Sequence, residues 1–328
     1  MNPFTYVAVT KQGEALDAAG KNPNARFLAG GTNLLDDMKL GVEAADQLID
    51  VSNLPYSQIT LLPDGGVRIG ATVRNSDLAW DETIRQKYPV LSEALLSGAS
   101  PQLRNMATTA GNLLQRTRCY YFRDVSYPCN KRQPGSGCSA IPGFNRIHAI
   151  LGTSDKCIAT HPSDMCVALA ALDAVIRITG PKGDRTVPIN EFYIAYGEDP
   201  AKENVLEHGE LITAVDLPNL PFVTRSHYLK VRDRASYEFA LASAAVALDI
   251  QAGIIKEARL ALGGVATKPW RANEAEKSLA GQKPDEAAFT RAADVALGGA
   301  TPQKYNAFKI ELCKRTIVRA LSTVAAMA

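Results

Sequence analysis

A turn built on two consecutive glycines joins a short apolar strand to a helix early in the chain. The strand is Arg26-Phe27-Leu28, and the turn runs Ala29-Gly30-Gly31-Thr32-Asn33-Leu34. Because glycine has no Cβ, main-chain N–H groups in such a turn can approach a bound anion closely, while Thr32 and Asn33 add side-chain donors. The turn therefore predicts a seat for a diphosphate or, as the commoner alternative for a lone Gly-Gly pair, a plain connection between strand and helix.

A second turn of similar composition favours the anion-binding interpretation. Thr108-Thr109-Ala110-Gly111-Asn112 again combines hydroxyls, a glycine and a carboxamide, and His161-Pro162-Ser163-Asp164 begins a helix with Ser163 at the capping position. The two commonest phosphate-binding motifs are absent, since the chain contains neither G-x-G-x-x-G nor G-x-x-x-x-G-K-S/T. A bound nucleotide would therefore need a different cradle.

The chain length predicts more than one domain, because 328 residues exceed the size at which a single hydrophobic core keeps growing. Hydrophobic periodicity and turn residues divide the chain into three blocks, at 1–54, 55–221 and 222–328. In the first two blocks the patterns predict a helix at 11–19, strands at 26–28, 47–51 and 66–69, a helix capped by Ser76, a helix at 90–99 and a strand at 175–178.

The end of the second block has the composition of a connector. Residues 181–222 are rich in Pro, Gly, Asn and acidic residues, and only 210–217 has a strand pattern. The third block is predicted to contain an antiparallel meander at 226–231, 242–250 and 255–262 and helices at 285–296 and 304–326. One face of the last helix contains Leu312, Ile317, Leu321 and Val324, and we expect this face to pack on the meander. Cys313 is expected to be buried beside it.

Charge and hydropathy exclude two classes of function. With 36 basic and 34 acidic residues the net charge is +2, and no basic block with interleaved aromatics indicates a nucleic-acid partner. The longest apolar run, near 165–172, is too short for a membrane span of about 20 residues. The first residues lack the basic and apolar regions of a signal peptide, so export would depend on a partner.

Four segments, taken in order, carry a resemblance to a known family. They are Ala29-Gly30-Gly31-Thr32-Asn33, then Gln102-Leu103-Arg104-Asn105 leading into 108–112, then Pro162-Ser163-Asp164, then Tyr228-Leu229-Lys230-Val231-Arg232. Together they resemble the FAD-binding medium subunit of the xanthine dehydrogenase and molybdenum aldehyde oxidoreductase family. The resemblance implies an α+β fold: a two-lobed FAD-binding domain of the vanillyl-alcohol-oxidase/CO-dehydrogenase-flavoprotein type, followed by a C-terminal domain of antiparallel sheet packed with helices.

The resemblance also implies which residues contact the cofactor. Both turns would wrap the FAD diphosphate, Asp164 would hold a polar part of FAD, and Lys230 and Leu211 would lie near the flavin ring, where a positive charge favours the reduced form. The family usually has two glycines in the second turn, whereas this chain has Ala110, whose methyl group is acceptable if φ stays negative. The implied contacts are Arg26, Leu28, Ala29, Gly30, Gly31, Thr32, Asn33, Leu34, Thr108, Ala110, Gly111, Asn112, Asp164, Leu211 and Lys230.

Five of the six cysteines fall within 48 residues: Cys119, Cys129, Cys138, Cys157 and Cys166. The intervening residues 120–144 are dense in Pro, Gly, Asn and Ser, which predicts an irregular loop able to bring distant thiols together. The spacings contain no C-x-x-C and fit no standard zinc pattern. From the residues alone, disulfides, a zinc site, an iron–sulfur cluster held by four thiolates and free thiols all remain open.

The resemblance favours the iron–sulfur alternative. Some aldehyde oxidoreductase and hydroxybenzoyl reductase flavin subunits that look like this chain carry a [4Fe–4S] cluster in a loop inserted at this place. The likeness is closest to the [4Fe–4S]-containing FAD subunit of periplasmic aldehyde oxidoreductase, which would place the loop at about 115–160. Cys166 lies in an apolar helical segment and is expected in the core, so the predicted ligands are Cys119, Cys129, Cys138 and Cys157.

Other charged and titratable residues add little. The cations near the loop are expected either to offset the charge of a cluster or to form a solvated or partner-facing surface; they are Arg116, Arg118, Arg123, Lys131 and Arg132. None of the four histidines, His148, His161, His208 and His227, has the spacing of a mononuclear metal site. No nucleophile and base are placed together by spacing alone.

The leading hypothesis is an FAD-binding electron-transfer subunit of a molybdenum-dependent aldehyde oxidoreductase. The resemblance implies a large partner with the molybdenum cofactor that converts aldehyde and water to a carboxylic acid, a small partner with [2Fe–2S] centres, and an external electron acceptor. The rivals are a stand-alone flavin oxidase, for which we find no candidate base, and a non-enzymatic cysteine-stapled assembly protein. The complex is expected to be periplasmic, exported with a signal-bearing partner, or cytoplasmic.

Overall fold

Three separate sheets organise the chain, for which a computed structural model describes residues 1–327. The first part of the chain contains the elements β1 (Thr5–Ala8), α1 (Gln12–Lys21), β2 (Ala25–Leu28), α2 (Leu34–Lys39) and β3 (Gln47–Asp50). Its three strands form a parallel sheet in the order β1-β3-β2. The central strand β3 buries Leu48 and Ile49, and α1 buries Ala15 and Ala19. Parallel strands end at the same edge of a sheet, so the glycine turn after β2 emerges at that edge.

The second sheet is antiparallel, with five strands in the order β4-β5-β8-β6-β7. Its elements are β4 (Ile59–Leu61), β5 (Val67–Gly70), α3 (Asn75–Trp80), α4 (Glu82–Lys87), α5 (Pro89–Ser97), α6 (Pro101–Arg104), α7 (Thr109–Leu113), α8 (Tyr120–Arg123), α9 (Asp164–Ala171), β6 (Val175–Gly180), β7 (Gly183–Pro188), α10 (Ile189–Phe192) and β8 (Leu211–Leu217). Between α8 and α9 the chain has only turns, bends and isolated bridges, as its Pro- and Gly-rich composition predicted.

Two predictions in this part of the chain were wrong. Ser76 does not cap α3: Arg74 occupies the N-cap, and the Ser76 hydroxyl instead donates to Asn105 Oδ1 at 2.6 Å. The strand predicted at 210–217 is confirmed as β8, the central strand of this sheet, but the stretch 181–222 also forms β7 and is therefore more than a connector. Strand β8 pairs with β5 on one side and with β6 on the other through backbone hydrogen bonds. Local composition does not predict this long-range pairing.

Helix α9 lies at the centre of the molecule. All of its residues from Met165 to Ala171 are buried, and the helix contacts α5 and two strands of the third sheet, β10 (Ala242–Gln251) and β11 (Ile254–Gly263). A helix that is apolar all round belongs in a core of this kind. Its N-terminus, Asp164, reaches the edge of that core, which positions this carboxylate for the site described below.

The third sheet is antiparallel, in the order β12-β11-β10-β9, and follows a 3₁₀ turn at Pro221–Thr224. Its elements are β9 (Ser226–Val231), β10 (Ala242–Gln251), β11 (Ile254–Gly263), β12 (Trp270–Arg271), α11 (Asn273–Leu279), α12 (Glu286–Ala296) and α13 (Phe308–Ala325). The meander is confirmed, and α13 packs on it through the buried residues Ile317, Leu321 and Val324, with Cys313 buried beside them. The short β12 and α11 were missed.

The last helix begins four residues later than predicted. The side chain of Asn306, which is fully buried, accepts from the N–H of Gln303 and donates to the carbonyls of His148 and Ala149. These contacts hold residues 304–307 in turns against the cysteine segment. No helix within residues 1–327 is both long and apolar enough to cross a membrane. The α+β fold class is confirmed.

Candidate functional site

The first glycine turn requires glycine at both positions. A Cβ on Gly30 would lie 1.9 Å from the main-chain oxygen of Met106, which is far inside van der Waals contact. Gly31 has φ of 70°, in the left-handed region that L side chains avoid, and a Cβ there would lie 2.8 Å from Cδ1 of Leu35. The turn thus presses its backbone against the segment that leads into the second turn.

The main-chain donors of the first turn are free. Within residues 1–327, no protein acceptor binds the N–H groups of Gly31, Thr32, Asn33 and Leu34. The Asn33 side chain, by contrast, is engaged: its Oδ1 accepts from the main-chain N–H of Arg116 at 2.6 Å, and its Nδ2 donates to Asp37 at 3.0 Å. The turn therefore offers a row of amide donors, while the carboxamide that was expected to face a ligand fixes the turn instead.

The second turn differs from the first in this respect. Its N–H groups are used within the protein: Thr109 donates to Val73, Ala110 to Ala71, and Gly111 and Asn112 to the side chain and main chain of Thr108. Ala110 lies inside α7 with a negative φ, so its methyl group is tolerated. The second turn contributes surface and side chains to the site, and its amides are not a free anion cradle.

Two cavities meet at the first turn. One, of about 610 Å³, is lined by Lys230 and Asp164 and is called the Lys230 cavity; the other, of about 600 Å³, is lined by Arg26 and Leu211 and is called the Leu211 cavity. Both are in the size range of ligand sites. They share the lining residues Gly30, Gly31, Thr32, Asn33, Ala107 and Gly111.

All fifteen residues implied as cofactor contacts line one or both cavities. Those in the Lys230 cavity alone are Asn112, Asp164 and Lys230; those in the Leu211 cavity alone are Arg26, Leu28, Ala29, Leu34, Thr108, Ala110 and Leu211. The others line both. Lys230 and Leu211 thus line different cavities, and their expected place beside the flavin ring stays a prediction.

A buried ion pair forms one wall of the Lys230 cavity. Nζ of Lys230 lies 2.7 Å from Asp164 Oδ2 and 3.1 Å from the carbonyl of Ser97, and the two side chains are 3% and 9% exposed. Asp164 Oδ1 also accepts from the hydroxyl of Tyr228 at 2.7 Å, and the Tyr228 oxygen in turn accepts from the Ser243 hydroxyl at 2.9 Å. Burial raises the pKa of Tyr228 well above its ordinary value, so this hydroxyl stays protonated. The wall is a preformed, charged and hydrogen-bonded surface.

Four cysteines surround one small cavity between α8 and the loop that follows it. Cys119, Cys129, Cys138 and Cys157 all line it, and the main chains of Cys129 and Cys138 form an antiparallel bridge. Cys166 lies elsewhere, fully buried in α9, with its sulfur 3.1 Å from the Tyr193 hydroxyl. The irregular loop thus brings together the four cysteines predicted as ligands and excludes the fifth.

The chemistry of these thiols depends on what they bind. Burial raises the pKa of Cys119 and of Cys157 to about 12, so at neutral pH both hold a proton unless a metal replaces it. All six cysteines are free in the described chain. Within residues 1–327 no group of three or more His, Cys, Asp or Glu side chains converges tightly enough to hold a metal ion.

His148 is a member of this cluster that the sequence did not indicate. Its Nε2 lies 3.1 Å from Cys119 Sγ although the two residues are 29 positions apart. Burial, with Lys309 nearby, lowers the pKa of His148 to about 4, so the imidazole is neutral. A neutral imidazole can donate from Nε2 to a deprotonated sulfur.

The five cations near the loop all have partners within the chain. Arg116 pairs with Glu43 and Glu203, Arg118 and Arg123 pair with Asp36, and Arg123 also reaches Asp37. Lys131 pairs with Glu203, and Arg132 donates to the carbonyls of Tyr121, Phe122 and Tyr127. Arg116, Arg118 and Arg123 thus tie the cysteine segment to residues 36–43, whereas Lys131 and Arg132 are held by partners outside that stretch.

Comparison with known proteins identifies the family. Residues 2–220 match the FAD binding domain in molybdopterin dehydrogenase, and residues 227–324 match the CO dehydrogenase flavoprotein C-terminal domain. The chain belongs to the family of FAD-binding medium subunits of the xanthine dehydrogenase type, as its motifs predicted.

Individual relatives agree with this assignment. The chain is 50% identical to the aldehyde oxidoreductase FAD-binding subunit PaoB of Escherichia coli (strain K12), with all of both chains covered. It is 30% identical to the glyceraldehyde dehydrogenase medium chain of Sulfolobus acidocaldarius, covering 85% of this chain and 82% of the relative. The solved structure of reconstituted CO dehydrogenase from Oligotropha carboxidovorans superposes with a TM-score of 0.78, at 25% identity, over 100% of this chain and 99% of that one.

Proposed function

We propose that the chain is the FAD-binding electron-transfer subunit of a molybdenum-dependent aldehyde oxidoreductase. The observation that carries the proposal is the pair of cavities that meet at a glycine turn with free amides. One extended ligand with a diphosphate at its middle and a ring system at each end matches such a site. FAD has this form, and the family match describes an FAD-binding domain.

The polarity of the two cavities indicates the orientation of FAD. The flavin ring is placed in the Lys230 cavity, beside the residue that the family resemblance expects near the ring, where Asp164 holds Lys230 in position. The adenosine end then occupies the Leu211 cavity, where Leu211 offers an apolar surface and Arg26 lies at the rim. When bound, FAD supplies an acceptor for one or two electrons. The chain's own contribution is to hold the ring against the buried pair of Lys230 and Asp164.

The reaction and the partners are proposed from the relatives. The strongest support for an aldehyde substrate is the 50% identity to an aldehyde oxidoreductase subunit over the full length. A large partner would hold the molybdenum cofactor and oxidise the aldehyde with water to a carboxylic acid. A small partner would carry [2Fe–2S] centres, in a heterotrimer that delivers electrons to an external acceptor. Such a complex is periplasmic if a signal-bearing partner exports it, or cytoplasmic.

The cysteine cavity is proposed to hold a [4Fe–4S] cluster on Cys119, Cys129, Cys138 and Cys157. Four thiol groups around one cavity match the ligand set of such a cluster. A cubane is larger than one ion, so its ligands need not converge as tightly as those of zinc. The proposed functional division of the chain is a first FAD lobe at 1–54, a second at 55–221 with the cluster loop at about 115–160, and a C-terminal domain at 222–328.

A visible absorption spectrum of the purified full chain, with FAD extraction and iron analysis, tests the proposal against its rivals. Flavin bands with a broad iron–sulfur shoulder are expected. Flavin without iron would overturn the cluster and leave a simple flavoprotein, and a colourless folded chain would overturn the electron-transfer function altogether. Purification with partners, followed by molybdenum analysis, tests the complex.

Serine substitutions test the ligand assignment. Each of Cys119→Ser, Cys129→Ser, Cys138→Ser and Cys157→Ser is expected to lower the iron content per chain strongly. Cys166→Ser is the matched control, because this cysteine is also buried yet lies in α9, outside the cavity. Iron analysis in which Cys166→Ser loses iron and the other four retain it would contradict the assignment.

A further inference from the structure

A mostly buried carboxylate, Glu203, lies between the two sites. Its Oε2 accepts from Nε of Arg116 at 2.9 Å, and its Oε1 lies 2.6 Å from Nζ of Lys131; its side chain is 20% exposed. Burial alone would raise the pKa of Glu203, but Lys131 and Arg116 hold it below its ordinary value. The carboxylate is therefore ionised and joins two cations that come from different parts of the chain.

Arg116 leads from Glu203 to the cofactor turn. Its main-chain N–H donates to Oδ1 of Asn33 at 2.6 Å, and its guanidinium also pairs with Glu43 at 3.1 Å. Asn33 is the residue at which the free amides of the turn pass into α2. The position of Arg116 thus sets how the turn presents its donors, and both Arg116 and Glu203 line the Leu211 cavity.

Lys131 leads from Glu203 to the cysteines. It follows Cys129 by two residues, lines the same small cavity, and has a side chain only 1% exposed. Its Nζ donates to the carbonyl of Pro200 at 2.9 Å and lies 3.7 Å from the centre of the Tyr196 ring. Its positive charge acts on Cys157 against the effect of burial. Ordering of the cysteine loop therefore fixes Lys131, and Lys131 fixes Glu203.

We propose that Glu203 is a positioning residue that couples the cysteine site to FAD binding through Lys131 on one side and Arg116 with Asn33 on the other. The coupling rests on the proposed function, since it needs both a cluster and a flavin. Assembly of the cluster orders the loop, holds Arg116 against the turn and raises the affinity of the turn for FAD. Linkage makes the effect reciprocal, so bound FAD also stabilises the cluster.

The test is a thermodynamic cycle on the full chain. FAD is removed and added back, and its Kd is measured by flavin fluorescence in the wild type and in Cys138→Ser, the ligand cysteine that is not fully buried. We expect about tenfold tighter binding when the cluster is present, a typical size for coupled sites. In Glu203→Gln, the ratio between the two cysteine backgrounds should fall to about one.

Two further variants separate coupling from a general loss of stability. Asp216→Asn is the matched control, because Asp216 also joins two cations, Arg68 and Arg177, and its side chain is 16% exposed, yet it lines neither cavity. In Asp216→Asn, the tenfold ratio between the FAD Kd values of the two cysteine backgrounds should persist. Lys131→Met, which keeps a buried aliphatic chain, should reduce the ratio as Glu203→Gln does, and it replaces that variant if the glutamine protein does not fold.

The outcomes distinguish this inference from the proposed function. A tenfold ratio that persists in Glu203→Gln, or equal affinities with and without the cluster in an iron-bearing wild type, overturns the coupling alone. A wild-type chain that binds FAD but holds no iron overturns the cluster and the coupling with it. A weaker Kd in Glu203→Gln by the same factor in both cysteine backgrounds indicates a structural role only, and also overturns the coupling.

Discussion

The two glycine turns look alike in sequence and do different work in the fold. Each joins Thr, Gly and Asn at the start of a short helix, α2 or α7. In the first turn the amides of Gly31 to Leu34 have no protein acceptor within the described chain, whereas in the second the amides of Thr109 to Asn112 are all bonded internally. Similar composition therefore produced one candidate anion cradle and one structural support.

The difference arises from what each turn packs against. The second turn lies beside the segment after β5, where the carbonyls of Ala71 and Val73 accept its first two N–H groups. The first turn packs against the main chain of Met106 through Gly30, and its residues Gly31 to Asn33 line both cavities. Substitutions at Gly30, Gly31 and Gly111 separate the role of anion cradle from that of structural support. Each should change the free energy of unfolding and the affinity for FAD in a different proportion.

Gly30→Ala should have the largest effect. The added methyl group would lie 1.9 Å from the main-chain oxygen of Met106, and neither backbone segment can move without disturbing a turn. We expect a loss of about 3 kcal/mol in the free energy of unfolding, with little FAD retained. Urea unfolding and FAD extraction measure both; a stable Gly30→Ala chain with full FAD would show that the two segments are not in this contact.

Gly31→Val should have the next largest effect. A φ of 70° costs an L residue about 1–2 kcal/mol. The new Cβ would lie 2.8 Å from Cδ1 of Leu35, which is the end of a flexible side chain and can move away. We therefore expect a folded chain whose FAD affinity falls about tenfold or more, which corresponds to about 1.4 kcal/mol. Undiminished FAD in folded Gly31→Val protein would count against the first turn as the diphosphate cradle.

Gly111→Ala should have the smallest effect. The residue lies inside α7, where alanine is favoured over glycine by about 1 kcal/mol, and the only close neighbour of a new Cβ is Thr108 Oγ1 at 3.0 Å. The two contributions roughly cancel. We therefore expect the Kd for FAD, and the equilibrium constant of unfolding, each to lie within about threefold of the wild-type value. A loss of FAD as large as that of Gly31→Val would restore the second turn as an equal partner in the cradle.

The sequence predicted most of the regular elements, for identifiable reasons. Glycine pairs, capping residues and apolar periodicity are local signals, and they located the first turn, α9 and the meander within a few residues. The cysteines of the loop were also grouped correctly, because Cys166 sits in an apolar helical run that local composition can recognise. The family and the fold class followed from motif order and are confirmed.

The errors concern contacts between distant residues. The pairing of β8 with β5 and β6 was not predicted, and Ser76 bonds to Asn105 instead of capping its helix. His148 and Glu203 gave no local signal, since their partners lie 29 or more positions away. Only packing assigns such neighbours.

The sequence by itself determined where the backbone must be glycine, where helices begin and which cysteines share a loop, because conformational preference and apolar patterning act over a few residues. The tertiary structure decided which amides stay free, which cations are neutralised by carboxylates, and which carboxylate stands between the two sites. Hydrogen bonds and ion pairs depend on atoms within about 3 Å of each other, and the chain brings those atoms together only when its three sheets pack.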